Sequence, residues 1–224
     1  MSEEQEPYVI DRRPEPRVRK NAILWQRYLH WDSLMRSRVR HILRLKAIVA
    51  GKSAMDAEYE REVIKGLTKQ LKEAKENMVE VAQVSVPGEV WAWTTGIRGL
   101  GVGGMAAQLI AEIDDIERFA TVSKLWRYAG LAVLGGKAEG KASEHYNRSL
   151  KSLMFLIVSQ FIRQGTPYYR GLYDAEKDRQ RVLHPQGYQD EDGRWHYNDG
   201  HLHMRAMRVV AKEFLANLYE RWHS

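Results

Sequence analysis

Two apolar seams in the first part of the chain leave little choice of fold. Leu24, Tyr28, Trp31, Met35, Arg38, Ile42, Leu45 and Val49 follow one another at alternating steps of four and three residues, and Ile64, Leu67, Leu71, Ala74, Met78 and Val81 do the same. That spacing keeps one stripe of side chains on one side of a helix and marks a coiled-coil seam, broken here only at Arg38. Between the seams lies Gly51-Lys52-Ser53, with Ser53 placed to cap the second helix and Asp56 three residues on. Two long helices joined by so short a turn must run antiparallel. Residues 21–86 are therefore expected to form an antiparallel helical hairpin. A lone hairpin buries a full seam poorly, so a second copy of the chain is the expected partner, giving a homodimer; the competing expectation is that the hairpin folds back on its own chain.

The remainder, 87–224, is long enough for one compact helical domain, which makes the chain all-α. A helix is expected from Glu144, capped by Ser143, with Leu150, Leu153, Met154, Ile157 and Phe161 on its inner face. Thr166-Pro167 opens the next helix, whose Tyr169 and Tyr173 read as core rather than as platforms for stacked bases. The last helix, His201 to Trp222, carries Met204, Met207, Val210, Phe214, Leu218 and Trp222 on one face. Tyr188 to Tyr197 reads as a small β-hairpin turning at Asp192-Gly193. His184, His196, His201 and His203 crowd the same region, but their spacing fits no zinc template, so no metal is expected. The absence of cysteine excludes disulfides. No apolar run reaches the length of a membrane span, and the proline- and charge-rich residues 1–20 show no signal pattern; they are expected to be a disordered tail on a soluble, cytoplasmic protein.

Charge is unevenly placed. The net charge is +6, yet Arg17 to Ala50 alone holds nine basic residues against one acid, Asp32. A face kept only for solubility usually mixes signs, so this stretch, with Arg36, Arg40 and Arg44, is expected to meet phosphates.

The stretch from Ile97 to Leu131 carries the functional signal. Gly99, Gly101, Gly103 and Gly104 open a small-residue helix, a short acidic turn follows at Asp114-Asp115, and a second helix ends in Tyr128-Ala129-Gly130-Leu131. A helix N-terminus offers free N–H groups and the positive end of the helix dipole. Glycines before it let a phosphate come close, the logic of a helix-hairpin-helix element that holds nucleic acid without reading its sequence. Arg98 stands beside the hairpin. The two aspartates read as caps for the turn at Ile116 rather than as metal ligands, and Gly130 as a helix C-cap.

These residues resemble the C-terminal domain of the IS110-type insertion-sequence transposases of bacteria and archaea. Gly99-Leu100-Gly101-Val102-Gly103, Ala111-Glu112-Ile113-Asp114-Asp115-Ile116, Arg118-Phe119, Tyr128-Ala129-Gly130-Leu131 and Asn147-Arg148 match its elements in order, although the usual hairpin proline is missing. The resemblance implies DNA, with a guide or structured RNA as a further partner, in a mobile-element setting. It also implies a coiled coil ahead of this domain. Full-length members carry an RNase-H-like domain whose four acids bind magnesium, and a serine in the loop after Tyr128-Ala129-Gly130-Leu131. That loop offers no early hydroxyl, and Ser143 is a weak candidate for a displaced nucleophile. The expectation is therefore a nucleic-acid-binding protein that does not cut alone and needs no cofactor. The alternative is a split or divergent transposase, using Ser143 or a nuclease domain with its magnesium supplied in trans. Lys137, Lys141 and Arg148 around the loop, and Arg205 and Arg208 with Lys212 on the last helix, are expected phosphate contacts. Arg163, Arg170 and Lys177 could border the same face.

Overall fold

Helices α1 (Ala22–Val49) and α2 (Ala57–Val84) form the antiparallel hairpin. The computed structural model describes residues 19–101, 103–134, 137–138, 146–183, 188–189, 193–196 and 198–224. Lys141 and Ser143 lie outside them. Antiparallel pairing shows in cross-links whose numbers run in opposite directions. Arg38 Nε donates to Thr68 Oγ1 at 2.9 Å, and His41 Nδ1 stands 2.5 Å from Glu60 Oε2. The turn is longer than the sequence suggests. Asp56, not Ser53, caps α2, accepting from the amides of Glu58 and Tyr59 at 2.8 and 3.3 Å. An N-cap must directly precede the helix for its oxygen to reach the second and third amides, and Ser53 stands three residues too early. Its hydroxyl accepts from the Met55 amide instead.

The seam is sealed on both helices only at its root, although Leu71 and Ala74 of α2 are buried farther along. Leu24 and Tyr28 of α1, with Met78 and Ala82 of α2, pack on Ala107, Ile110 and Ala111 of α4 (Gly104–Ile113). Farther out, Met35, Ile42 and Leu45 are half-buried and Val49 is exposed. The root of the hairpin is thus covered by its own chain. Polar contacts fix the same joint. Asp114 accepts from the Asn21 amide at 3.1 Å, Arg19 Nη1 donates to the Ala111 carbonyl at 3.0 Å, and Lys20 Nζ meets Asp115 Oδ1 at 3.0 Å. Only Asp115 caps the turn at Ile116, accepting from the Glu117 amide; Asp114 serves the N-terminus of α1, where a carboxylate suits both the free amides and the dipole.

The rest is α3 (Gly88–Gly96), α4, a 3-10 turn (Ile116–Arg118), α5 (Val122–Tyr128), α6 (Arg148–Gln164), α7 (Tyr169–Leu183) and α8 (Asn198–His223). Two short ladders join it, Val133–Leu134 with Lys137–Ala138 and Tyr188–Gln189 with Trp195–His196; the second is the expected hairpin. The core centres on Phe161 of α6 and Phe214 of α8, both fully buried and 5.4 Å apart edge to face, with Tyr169 and Trp93 stacked on them. The expected inner face of α6 is buried throughout. On α8 the expectation fails at Met204, which is 44% exposed, while Leu202 and Ala206 are buried. At about 100° per residue Met204 points away from both of those neighbours. α6 also starts later than expected, at Arg148 with Asn147 as its cap, rather than at Glu144. No described helix is long and apolar enough to cross a membrane.

Candidate nucleic-acid interface

The glycine hairpin links α3 to α4, and its three glycines do different work. Gly99, Gly101 and Gly103 all take positive φ, at 104°, 73° and 77°. A side chain on Gly99 would press on the backbone of Gln160, and one on Gly103 on Val79 and Trp91, so those two are glycine for packing. Gly101 faces open space and is exposed. Beyond it α4 begins with no side-chain cap, unlike α2, α5 and α6, which take theirs from Asp56, Thr121 and Asn147. Its first amides therefore lack the partner a cap would supply. The stem of Lys75 lies over Gly104, with Cδ 3.4 Å from the place a Cβ would occupy. A cation beside the positive end of a helix dipole is unfavourable unless an anion joins it. Arg98 is exposed nearby, its carbonyl accepting from Thr166 Oγ1 at 2.6 Å. Lys75 gave no local signal in the sequence, because only the docking of α2 on α4 brings it there.

A second cluster ties the remaining motif residues together. Glu112, 2% exposed, accepts from the Tyr28 hydroxyl at 2.6 Å and from Asn147 Nδ2 at 2.7 Å. Tyr128 donates to the Glu112 carbonyl at 3.2 Å, and Asn147 Nδ2 also reaches the Tyr128 hydroxyl at 2.9 Å. Burial and the neighbouring carboxylate push the Tyr28 hydroxyl far above its ordinary pKa and keep it a donor. The Arg118 guanidinium stacks on Phe119 and Tyr128, 4.5 and 4.2 Å from the ring centres, while its buried Nε and Nη2 make no hydrogen bond among the described residues. Cation–π contact is what holds it.

This hub pins both ends of the loop that follows α5. The Asn147 amide donates to the Tyr128 carbonyl at 2.8 Å, and Gly130, at φ 66°, leaves no room for a side chain, since a Cβ would stand 2.6 Å from Tyr146 Cδ2. The expected C-cap role of Gly130 holds: the Leu131 amide donates to the Trp126 carbonyl at 2.9 Å. At the foot of the loop, where α6 starts, Tyr146, Arg148, Lys151 and Ser152 line an open cavity of about 380 Å³. Two cations and a hydroxyl at a helix N-terminus make a surface suited to a phosphate.

The other sequence candidates scatter. Arg36 is exposed and pairs with Asp32 at 2.7 Å; Arg40 is exposed; Arg44 stands 3.9 Å from the buried Glu60. Arg205 is half-buried and donates to Gln180, and Arg208 is half-buried, its pKa lowered by burial and then by Arg205. Arg170 is engaged by Asp174 at 2.7 Å. Lys137 lies in the first short ladder. Of the four histidines, His203 Nδ1 is bonded to the Tyr173 hydroxyl at 2.7 Å, and His184 lies outside the described residues.

Residues 96–174 match the family model described as Transposase IS116/IS110/IS902 family, and no curated protein matches the chain. The matched span runs from the glycine hairpin through the Glu112–Tyr128–Asn147 hub and the cavity at α6 into α7. The resemblance read from the sequence is thus found again over the segment that carries its motifs, and that segment is transposase-like.

Proposed function

We propose that this protein serves DNA transposition by gripping the sugar–phosphate backbone, with the glycine hairpin and the uncapped start of α4 as the principal contact. The observation that carries the reading is the meeting of a helix start without a side-chain cap with the Lys75 side chain at an exposed glycine turn that follows the exposed Arg98 in the chain. A phosphate would satisfy the amides and relieve the crowding of positive charge. The cavity at Arg148, Lys151 and Ser152 supplies a second phosphate contact, and the exposed basic residues of α1 add long-range attraction. The task assigned is holding nucleic acid, and no nucleophile is assigned.

The test is a fluorescence anisotropy titration of a labelled DNA duplex across a salt series. The logarithm of the binding constant is expected to fall linearly with the logarithm of salt concentration. Lys75→Ala should weaken binding to all sequences alike and lower the salt slope by about 1. Gly101→Glu should weaken binding further than Gly101→Ala, which carries the same backbone strain without the charge. Equal affinities for those two variants, with normal melting curves, would sink the assignment of the hairpin.

A further inference from the structure

The helical hairpin has a notch on one side that its own packing does not fill. At its root Leu24 and Tyr28 meet Met78 and Ala82, and farther out Arg38 is bonded to Thr68. Between these contacts α2 presents Ala74, whose methyl group is too short to fill the groove. The surface there sinks into a cavity of about 270 Å³ lined by Arg27 and His30 of α1 and by Gln70, Glu73, Ala74 and Asn77 of α2. All the polar residues in that set are exposed, and none is bonded to another protein group among the described residues. Elsewhere the same two helices pair their polar side chains readily, as Asp32 with Arg36 and Glu58 with Arg61 show.

The donor set is mixed. Arg27 offers a planar fork of donors, His30 a ring nitrogen, Gln70 and Asn77 an amide with both edges, and Glu73 only acceptors. A phosphate or an acidic peptide would be repelled by Glu73. An apolar group would strip five polar side chains of water without replacing it. What suits the set is a small planar group with donors and acceptors along its rim. Guanine fits best among the bases: its ring N–H and amino group face a carboxylate, while O6 and N7 accept an arginine fork. The basic residues of α1 on either side would carry the flanking phosphates.

We propose that the notch between α1 and α2 holds one unpaired guanine of a single-stranded or looped nucleic acid, with Glu73 and Arg27 reading it. The proposal rests on the nucleic-acid reading above but concerns base choice, whereas that reading concerns the backbone. The test uses labelled oligouridine with and without one central guanine, and guanosine and uridine monophosphates titrated by calorimetry. The guanine oligomer is expected to bind about tenfold more tightly, the gain of one good bidentate contact. Glu73→Gln should abolish that preference while leaving oligouridine affinity and the circular dichroism spectrum unchanged. Binding of guanosine but not uridine monophosphate and of the guanine oligomer, with no binding of the labelled DNA duplex, would uphold the notch and overturn the backbone reading. Binding of both oligomers with equal affinity, or a preference that survives Glu73→Gln, would overturn the notch.

Discussion

The helical hairpin and the helical body that follows it bury their apolar side chains differently. In the body, α6 and α8 meet around Phe161 and Phe214, and α3, α5 and α7 close the sides, so residues are sealed from every direction. In the hairpin two helices face only each other beyond the root. Leu29, Val39 and Leu43 of α1 are exposed, and half of the seam is half-buried. A two-helix layer has no third element to finish the job, and α1 buries apolar side chains only where α4 lies against it. Periodicity therefore tells which residues face inward but not how deeply they end up.

The contrast can be broken by truncation. Phe214→Ala, in the sealed core, is expected to cost about 3–5 kcal/mol, whereas Leu45→Ala, in the half-covered seam, should cost about 1 kcal/mol. Denaturant titrations of both variants check this, and equal losses would mean that the outer hairpin is sealed in solution, as a second copy of the chain would do.

The joint between the two regions should show an intermediate effect. Tyr28→Phe leaves one oxygen of the buried Glu112 without its 2.6 Å donor and is expected to cost about 1–3 kcal/mol. Because Glu112 also holds Asn147, hydrogen exchange should quicken at the start of α6 as well as at the root of α1. Protection lost in α1 alone would show that the hub does not couple hairpin to body.

The smallest expected effect is a pH dependence confined to the body. Burial, and then the nearby Lys177, hold His203 below the ordinary histidine pKa. The unfolded chain takes up that proton first, so stability is complete above about pH 6.5 and declines as pH falls below it. Glu176 is held below the carboxylate range by Arg179, and its contribution is lost only at more acidic pH. Melting curves between pH 7.5 and 5 should show the first decline, and His203→Gln should remove it.

Much of this was legible in the residues. The two helices of the hairpin, the inner face of α6, the C-cap at Gly130 and the small ladder at Tyr188 follow from spacing and turn chemistry, which are local. The transposase-like motif was legible as well, because its elements lie close together in sequence. The caps were less so: Asp56 and Asn147 displaced Ser53 and the expected Ser143, since several polar residues in a row can all serve and helix length decides among them.

The sequence by itself determined which stretches are helices and which of their faces turn inward, since propensity and period act over a few residues. Tertiary structure alone decided what those helices bring together. It set Lys75 over the start of α4, joined Tyr28 to Glu112 and Asn147 across three helices, and brought Arg27 and Glu73 into the lining of one cavity. Such pairs are distant in the chain and meet only through the packing of whole elements. No local pattern records them, because the free energy that joins them belongs to the interface and not to either segment.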